Sequence, residues 1–195
     1  MRFLTWYDFR VRHGRAGQLV DRMLFRPLMG WATAWSFDRL RLWLEAGVEP
    51  DDSLHLWLVH HSSRAALAMC WVYQGLVPKL LVRDSGELEL LRRSRIVAKG
   101  RENTALILVG IGEVALGIAH LVKPGRRRWP MYASLAALPA LAVGALKSQP
   151  DVLVRPFNPA TLTIAMMALS GVALMSAAHI PSAAACRRTP SAAPS

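Results

Sequence analysis

NTALILVGIGEVALGIAHLV, residues 103 to 122, is the stretch of this sequence that decides its fold. As a helix rising about 1.5 Å per residue, it has the length that crosses a hydrocarbon layer of roughly 30 Å. Glu113, near its middle, is the one carboxylate or permanently charged residue that it carries. Because lipid offers no hydrogen-bond partners to an open backbone, a stretch of this kind predicts a transmembrane helix.

Three further apolar segments repeat this pattern along the chain. They run from Ser62 to Val82, from Trp129 to Leu146 and from Phe157 to Ile180. Pro139, inside the segment that starts at Trp129, predicts a kink, because neighbouring helices can satisfy the carbonyl that proline leaves free. All four segments are too long for the strands of a membrane barrel. The sequence therefore predicts an all-α protein, a membrane-embedded four-helix bundle with an N-terminal amphipathic helical extension.

The composition supports lipid as the main solvent of the chain. Of 195 residues 53% are hydrophobic, and 24 Lys and Arg against 13 Asp and Glu give a formal charge of +11. The mean hydropathy is +0.25. A basic chain usually meets nucleic acid, anionic lipid or an acidic partner, and the apolar segments favour lipid and argue against nucleic acid. Cys70 and Cys186 lack the spacing of a metal site or a disulfide.

Loop charges predict the orientation of the chain. Basic residues are more numerous in the N-terminal region, in the turn from Lys123 to Arg128 and in the tail than in the two connections on the other side. The positive-inside rule then places both termini in the cytoplasm. A basic cluster from Arg92 to Arg101 opposes this orientation, although neighbouring glutamates dilute its charge.

Residues 1 to 53 are expected to form a separate N-terminal extension. Tyr7 to Arg12 alternates apolar and polar side chains, as a strand does. Gln18 to Leu44 carries apolar residues at mostly helical spacing, with Trp and Arg among them. This helix fits a membrane surface, with Trp at headgroup depth and Arg on anionic lipid, and it fits the final helix of a soluble fold equally well. Glu49 to Ser53 is interpreted as a linker, which leaves residues 54 to 180 as the membrane domain and 181 to 195 as a disordered tail.

A set of short motifs carries a resemblance to a known family. In order, the motifs are WVYQGLVPKLL at 71–81, GELELL at 86–91, GIGEVALGI at 110–118, RRRWP at 126–130 and RPFNPATL at 155–162. Over residues 58 to 180 the chain resembles the DoxX-like family of small four-helix membrane proteins. The resemblance implies a bundle in the bacterial inner membrane, alone or fused to soluble domains. It also implies an association with membrane redox complexes, since the broader group takes its name from a subunit of a quinone-linked sulfur oxidoreductase.

The N-terminal extension carries a second resemblance. GQLVDRMLFRPLMGWATAWSFDRLRLWLE, residues 17 to 45, is similar to the last long helix of START-like lipid-binding domains, with a terminal strand such as Phe3 to Arg12 before it. The curved sheet of such a domain is not in this sequence. The resemblance implies the end of a START-like and DoxX-like fusion, so an upstream start codon or a split gene is to be considered.

Glu113 is the leading candidate for a functional side chain. An ionisable group in the middle of a membrane span must be neutralised, paired or turned to a polar cavity. We expect an intramembrane polar cluster of Glu113 with Lys79 near the end of the first span and Gln74, which can face the same way. This cluster serves either as a packing lock or as a site of proton transfer or ligand binding. Small residues around it favour close helix packing, namely Gly110, Gly112, Gly117 and Gly171.

Other candidates have weaker patterns. Tyr73 and Trp71 either flank a quinone ring or pack in the bundle, and His120 is a candidate to take up a proton. Asn158 is expected to cap the fourth helix, and Arg155 to contact a phosphate headgroup or Asp151. The three histidines before the first span lack the spacing of a metal site, so no metal is expected: His55, His60 and His61.

The function expected from these features is that of a small membrane subunit or partner, because no sequence motif of soluble catalysis is present. An alternative is a quinone-linked oxidoreductase subunit in which Glu113 relays protons, with quinone as cofactor. A transporter is disfavoured because the four segments show no internal repeat. The expected partners are the lipid bilayer and anionic phospholipid, with a membrane redox partner and a second copy of the chain as further candidates.

Overall fold

The architecture was determined from a computed structural model that describes residues 14–82, 86–122, 127–151 and 159–185. The described residues form seven α-helices and no strand, and they divide into two compact units. The strand expected at Tyr7 to Arg12 lies outside them.

The first unit contains the N-terminal helices, and its described residues are 14–55 and 179–185. Helix α1 (Gly14–Val20) continues through a π-helical turn (Asp21–Phe25) into α2 (Arg26–Ala46). Helix α2 ends at Gly47, whose φ of 66° favours glycine. Large apolar side chains stay exposed along α1 and α2, among them Leu19 and Leu44.

A buried aspartate on α2 holds the segment after the last helix. Asp38 is 1% exposed, accepts a 2.7 Å hydrogen bond from the backbone N–H of Ser182 and pairs with Arg41 at 2.7 Å. The hydrogen bonds to Asp38 and Glu45 raise the pKa of Arg41 above its ordinary value. A 3-10 turn (Ala183–Ala185) follows in the segment that the sequence predicts to be disordered.

The second unit, residues 56–178, contains most of the helical bundle. Helix α3 (Pro50–Gly75) continues through a second π-helical turn (Leu76–Leu81), and α4 (Glu87–Ser94) is short. The remaining long helices are α5 (Glu102–Leu121), α6 (Trp129–Ser148) and α7 (Pro159–Met175).

The polar stretch expected to be a linker is the first turn of a helix. Proline is well suited to the start of a helix because its missing N–H would have no partner there. Asp51 and Asp52 then lie in the first turn of α3, where the helix dipole favours negative charge. The interpretation of Glu49 to Ser53 as a linker is therefore wrong from Pro50 onward.

Two of the described helices, α5 and α6, are long and apolar enough to cross a membrane. Helix α6 continues through Pro139, and α7 is apolar but has 17 residues. The fourth span was expected to reach Ile180, but α7 ends at Met175 and His179 adopts a φ of 63° just before Pro181. The structure thus supports an all-helical fold with two helices of membrane-crossing length.

The core of the second unit lies between α3, α6 and α7. Leu67 and Trp71 from α3 pack with Leu138 from α6 and Met166 from α7, and all four are buried. Polar side chains lie among these apolar ones, since Ser134 and His120 are fully buried. A buried polar group is tolerated only when it is hydrogen-bonded, so the partners of these groups define the candidate site.

Candidate functional site

A buried ion pair joins α5 to the π-helical turn after α3. The Lys79 Nζ lies 2.8 Å from the Glu113 Oε2, with the two side chains 9% and 6% exposed. The same Nζ donates to the backbone carbonyl of Gln74 at 3.1 Å. Pro78 has no N–H to offer that carbonyl four residues before it. The Lys79 ammonium group therefore donates to a carbonyl that lacks the N–H of residue 78, and the same group contacts Glu113.

Three glycines bring α3 and α5 close enough for this pair to form. A Cβ added to Gly75 would lie 2.5 Å from the carbonyl oxygen of Gly110, and one added to Gly110 would lie 2.9 Å from that of Gly75. A Cβ on Gly117 would lie 2.9 Å from the carbonyl oxygen of Ala68. Such contacts are typical of small residues where helices meet in lipid. Gly112 and Gly171 were also expected to pack closely. A Cβ added to either one would have nothing within 4 Å, so for these two glycines the expectation is wrong.

A second carboxylate shares the same lysine. The Glu87 Oε2, on α4, lies 3.0 Å from the Lys79 Nζ, and the Glu87 side chain is 30% exposed. Helix α4 packs against α5 and α6, which holds Glu87 beside the bundle. Lys79, Glu87 and Glu113 form what we call the charge cluster. The cluster differs from a simple ion pair because one ammonium group contacts two carboxylates.

An open cavity of about 300 Å³ adjoins the charge cluster. Its walls come from α3, α5 and α6 and are almost entirely apolar, with Trp71, Leu116, Ala137 and Leu141 among them. Glu113 is the ionisable residue in this wall. Pockets of this size accept a small ligand when a few polar groups fix its orientation. The cavity therefore offers apolar walls with one carboxyl group at its edge.

A hydrogen-bonded chain of side chains lies behind the cavity. The Trp71 indole N–H donates to the Ser134 Oγ at 2.9 Å, and that Oγ lies 2.9 Å from the His120 Nε2. The Trp71 N–H occupies one lone pair of the Ser134 Oγ, whose second lone pair and proton can pair with either tautomer of His120. The His120 Nδ1 is buried without a hydrogen-bond partner among the described residues. His60, equally buried, bonds the carbonyl of Ala173 on α7 through its Nδ1 at 2.8 Å.

Arg64 fastens α3 to the end of α5. Its side chain is 1% exposed, and its Nε donates to the His120 carbonyl at 2.8 Å while an Nη donates to the Arg127 carbonyl at 3.0 Å. A further Nη contacts the Ala119 carbonyl at 3.4 Å. The last carbonyls of a helix have no partner within it and attract cations. Arg64 thus caps α5 from a neighbouring helix and brings its own charge to the negative end of the helix dipole.

The structure separates the candidates from the sequence into those near the cluster and those away from it. Trp71 lines the cavity, but Tyr73 is 65% exposed and does not. Gln74 contacts Lys79 through its backbone carbonyl rather than its side chain. His120, the candidate to take up a proton, is fully buried. Asn158 and Arg155 lie outside the described residues.

The histidines before the first span make other contacts. His61 stacks on Trp57 with ring centroids 4.3 Å apart, and His60 meets His61 edge to face at 5.4 Å. Within the described ranges no group of three potential metal ligands is present.

Several functional side chains escaped prediction from the sequence. Arg64 carried a signal, because it is one of two cations, with Lys79, in a segment expected to span the membrane. Ser134 carried almost none, since serine is common in membrane helices. Glu87 lies in GELELL, where its spacing to Lys79 indicates nothing about contact. Gly75 lies in WVYQG and could have been grouped with the other small residues.

Comparisons with known proteins agree with the membrane character of the fold. The chain is similar to the uncharacterized membrane protein YndG of Bacillus subtilis (strain 168), with 33% identity over 138 residues. The match covers 71% of this chain and 42% of that protein, so the chain spans well under two thirds of its relative's length. No solved structure matches the chain. The resemblance of residues 17 to 45 to a START-like domain finds no support in these comparisons.

The remaining comparison concerns the family predicted from the motifs. A model of the DoxX-like family matches residues 68–171, within the 58–180 predicted from the sequence and over more than half of the chain. The matched range contains all three residues of the charge cluster, the cavity wall and the Trp71 to His120 hydrogen-bonded chain. The chain is a membrane protein that belongs to the DoxX-like family.

Proposed function

We propose that the chain is a small multi-pass subunit, or partner, of a complex in the bacterial inner membrane. The observation that carries this proposal is the outward apolar surface of its two membrane-length helices. In the most apolar stretch of α5, 28% is buried within the chain, and in that of α6 the buried share is 22%. Side chains such as Leu108 and Ile111 point away from the protein. A face of this kind is buried by lipid, by another polypeptide or by both.

Four helices cross the membrane in this proposal. Helix α3 with its π-helical turn runs from Pro50 to Leu81 and would provide the first crossing, and α7 the fourth. The charges in α3 support this, because Arg64 and Lys79 are both buried and both have partners. Paired ionisable groups that face the bundle interior are compatible with a membrane span.

The N-terminal unit would lie on the membrane surface. Helices α1 and α2 expose large apolar side chains beside arginines, which suits the boundary between acyl chains and anionic headgroups. Trp31 stacks on Trp35 at 6.1 Å, and the Arg39 guanidinium lies 4.8 Å from the Trp35 ring centroid. In agreement with the loop charges, both termini would lie in the cytoplasm.

Site-specific photo-crosslinking in the native membrane tests the subunit role. A photoreactive amino acid at Ile111, 52% exposed on α5, is expected to capture a discrete membrane polypeptide. The matched control is the same group at Leu106, 6% exposed on the same helix, which is expected to give only internal adducts. Capture of a second copy of the chain would identify a homo-oligomer, and capture of a redox enzyme the expected redox partner. Adducts with lipid alone at Ile111 and at other exposed positions of α5 would contradict the proposal.

The cavity favours a second candidate function, that of a quinone-linked oxidoreductase subunit. Its apolar walls and size suit a flat ring. Trp71 and Leu116 would contact the ring, and the Glu113 carboxyl group would hydrogen-bond a carbonyl oxygen of the quinone. The Trp71 N–H is bonded to Ser134 and does not take this role. A bound quinone would supply two-electron redox chemistry. Glu113 would hold or release a proton at its carboxyl oxygen, at the edge of the apolar wall.

Fluorescence quenching by a short-chain benzoquinone tests this second function in nanodiscs. We expect saturable quenching that Trp71→Phe reduces and Glu113→Gln weakens at least several-fold in affinity. Trp57→Phe is the matched control, since Trp57 stacks on His61 and does not line the cavity. Quenching that fails to saturate, or that Trp71→Phe leaves unchanged, would rule out quinone at this cavity.

A further inference from the structure

The charge cluster has an unbalanced charge. The Lys79 ammonium is 2.8 Å from Glu113 and 3.0 Å from Glu87, so one cation faces two carboxylates. With all three groups ionised, the cluster carries one net negative charge next to an apolar cavity. Charge inside a membrane span is costly unless it is paired, neutralised or turned to water, and Glu113 is 6% exposed. A further positive charge would therefore stabilise the cluster.

Among the described residues, no second cation lies within ion-pair distance of Glu87 or Glu113. On α4, the Arg93 guanidinium pairs with Glu89 at 3.0 Å. On α5, His120 lies two turns beyond Glu113 and is bonded to Ser134. The wall contributed by α6 is apolar, with Ala137, Ala140 and Leu141. Among the described residues that pack on the cluster, Lys79 is thus the cation that reaches either carboxylate.

We propose that the charge cluster is a proton-binding site, in which Glu87 and Glu113 together hold one exchangeable proton beside Lys79. A proton suits the site better than a metal ion, because hard cations require about six oxygen ligands. Around the Lys79 Nζ, the oxygens in contact come from two carboxylates and the Gln74 carbonyl. A proton neutralises one carboxylate, and Lys79 neutralises the other.

The two carboxylates differ in their access to water, which gives the proton a direction of entry. Glu87 is 30% exposed, whereas Glu113 is 6% exposed and lines the cavity. A proton from water binds the carboxylate of Glu87. Lys79 then gives one of its protons to Glu113 and takes the proton from Glu87, so the ammonium group is restored and the net change is one proton moved from Glu87 to Glu113. The cluster connects water to the cavity in this way.

Infrared spectroscopy of the full chain in nanodiscs tests the proposal directly. A protonated carboxylic acid has a carbonyl stretching band that a carboxylate lacks. At neutral pH we expect such a band in the wild type, with a shift after transfer to heavy water because the proton exchanges. Glu87→Gln and Glu113→Gln should each abolish the band, since each leaves one carboxylate paired with one lysine. Glu89→Gln, on the same helix as Glu87, is the matched control and should keep the band.

Each contrary result would overturn a stated part of the proposal. A wild type without the band at neutral pH would show that no proton is held, and a band that appears only after sodium or potassium is removed would assign the site to a metal cation. A band that persists in both variants would place the proton elsewhere. A band that does not shift in heavy water would exclude exchange through Glu87. Glu87→Gln removes a partly exposed group, so it gives a folded sample if Glu113→Gln does not.

Discussion

Replacing Gly75 with alanine should separate α3 from α5. The new Cβ would lie 2.5 Å from the Gly110 carbonyl oxygen and 2.9 Å from a methyl carbon of Val114. The nearest atom belongs to a helix backbone, which cannot move aside as a flexible side chain can. Overpacking of this kind typically destabilises by about 1–3 kcal/mol, and we expect the upper end of that range.

The gain in helix propensity partly offsets this loss. Alanine is more favourable than glycine in a helix by about 1 kcal/mol. The net destabilisation expected for Gly75→Ala is therefore about 2 kcal/mol. Gly112→Ala is the matched control, because a Cβ there meets nothing within 4 Å, and it should stabilise the chain by up to about 1 kcal/mol. The two variants should differ by about 3 kcal/mol.

Reversible unfolding of the full chain in mixed micelles measures this difference. Gly75→Ala should unfold at a lower concentration of denaturing detergent than the wild type. Gly112→Ala should unfold at the same concentration as the wild type or at a higher one. Equal stability of the two variants would refute the close crossing of α3 and α5. Gly117→Ala should behave like Gly75→Ala, because its Cβ would meet the backbone of α3.

Three other substitutions test separate contacts, the first two by the same unfolding measurement and the third by proteolysis. Arg64→Lys should destabilise by about 2 kcal/mol or more, since lysine keeps the charge but cannot bond several carbonyls in a fork; wild-type stability would contradict the capping role. Ser134→Ala should cost about 1–3 kcal/mol because it leaves the buried Trp71 N–H unpaired, and an unchanged tryptophan environment in near-ultraviolet spectra would count against that bond. Asp38→Ala should speed proteolysis after residue 180, with Arg41→Gln, which removes an exposed partner, as the milder control.

The path of the chain through the bundle could be predicted well where the sequence is most apolar. Helix α5 runs from Glu102 to Leu121, against a predicted span of 103 to 122. Its apolar run is long enough that few alternatives exist. The end of α7 was predicted less well because Ala177, Ala178 and Ile180 continue the apolar run beyond Met175. The turn there depends on the backbone of His179. Hydropathy contains no information about such a turn.

The charge cluster could be predicted only in part. An acid in the middle of a span requires a partner, and the sequence offers few cations, which is why Lys79 could be proposed for Glu113. Glu87 could not be found in this way, because α4 is a short helix whose position depends on its packing against α5 and α6. Gln74 was expected to use its side chain, and the role of its carbonyl follows from Pro78, whose missing N–H is visible in the sequence.

A rescue experiment between Lys79 and Glu113 tests the central claim, that α3 and α5 cross so that these two side chains pair in the bundle. Lys79→Met should be strongly destabilising, because it leaves Glu113 buried without a cation. Adding Glu113→Gln to Lys79→Met should recover at least about 1 kcal/mol of unfolding free energy, since the remaining Glu87 is partly hydrated. Adding Glu89→Gln instead should recover nothing. A double variant of Lys79 and Glu113 no more stable than Lys79→Met alone would contradict the pairing and the crossing that produces it.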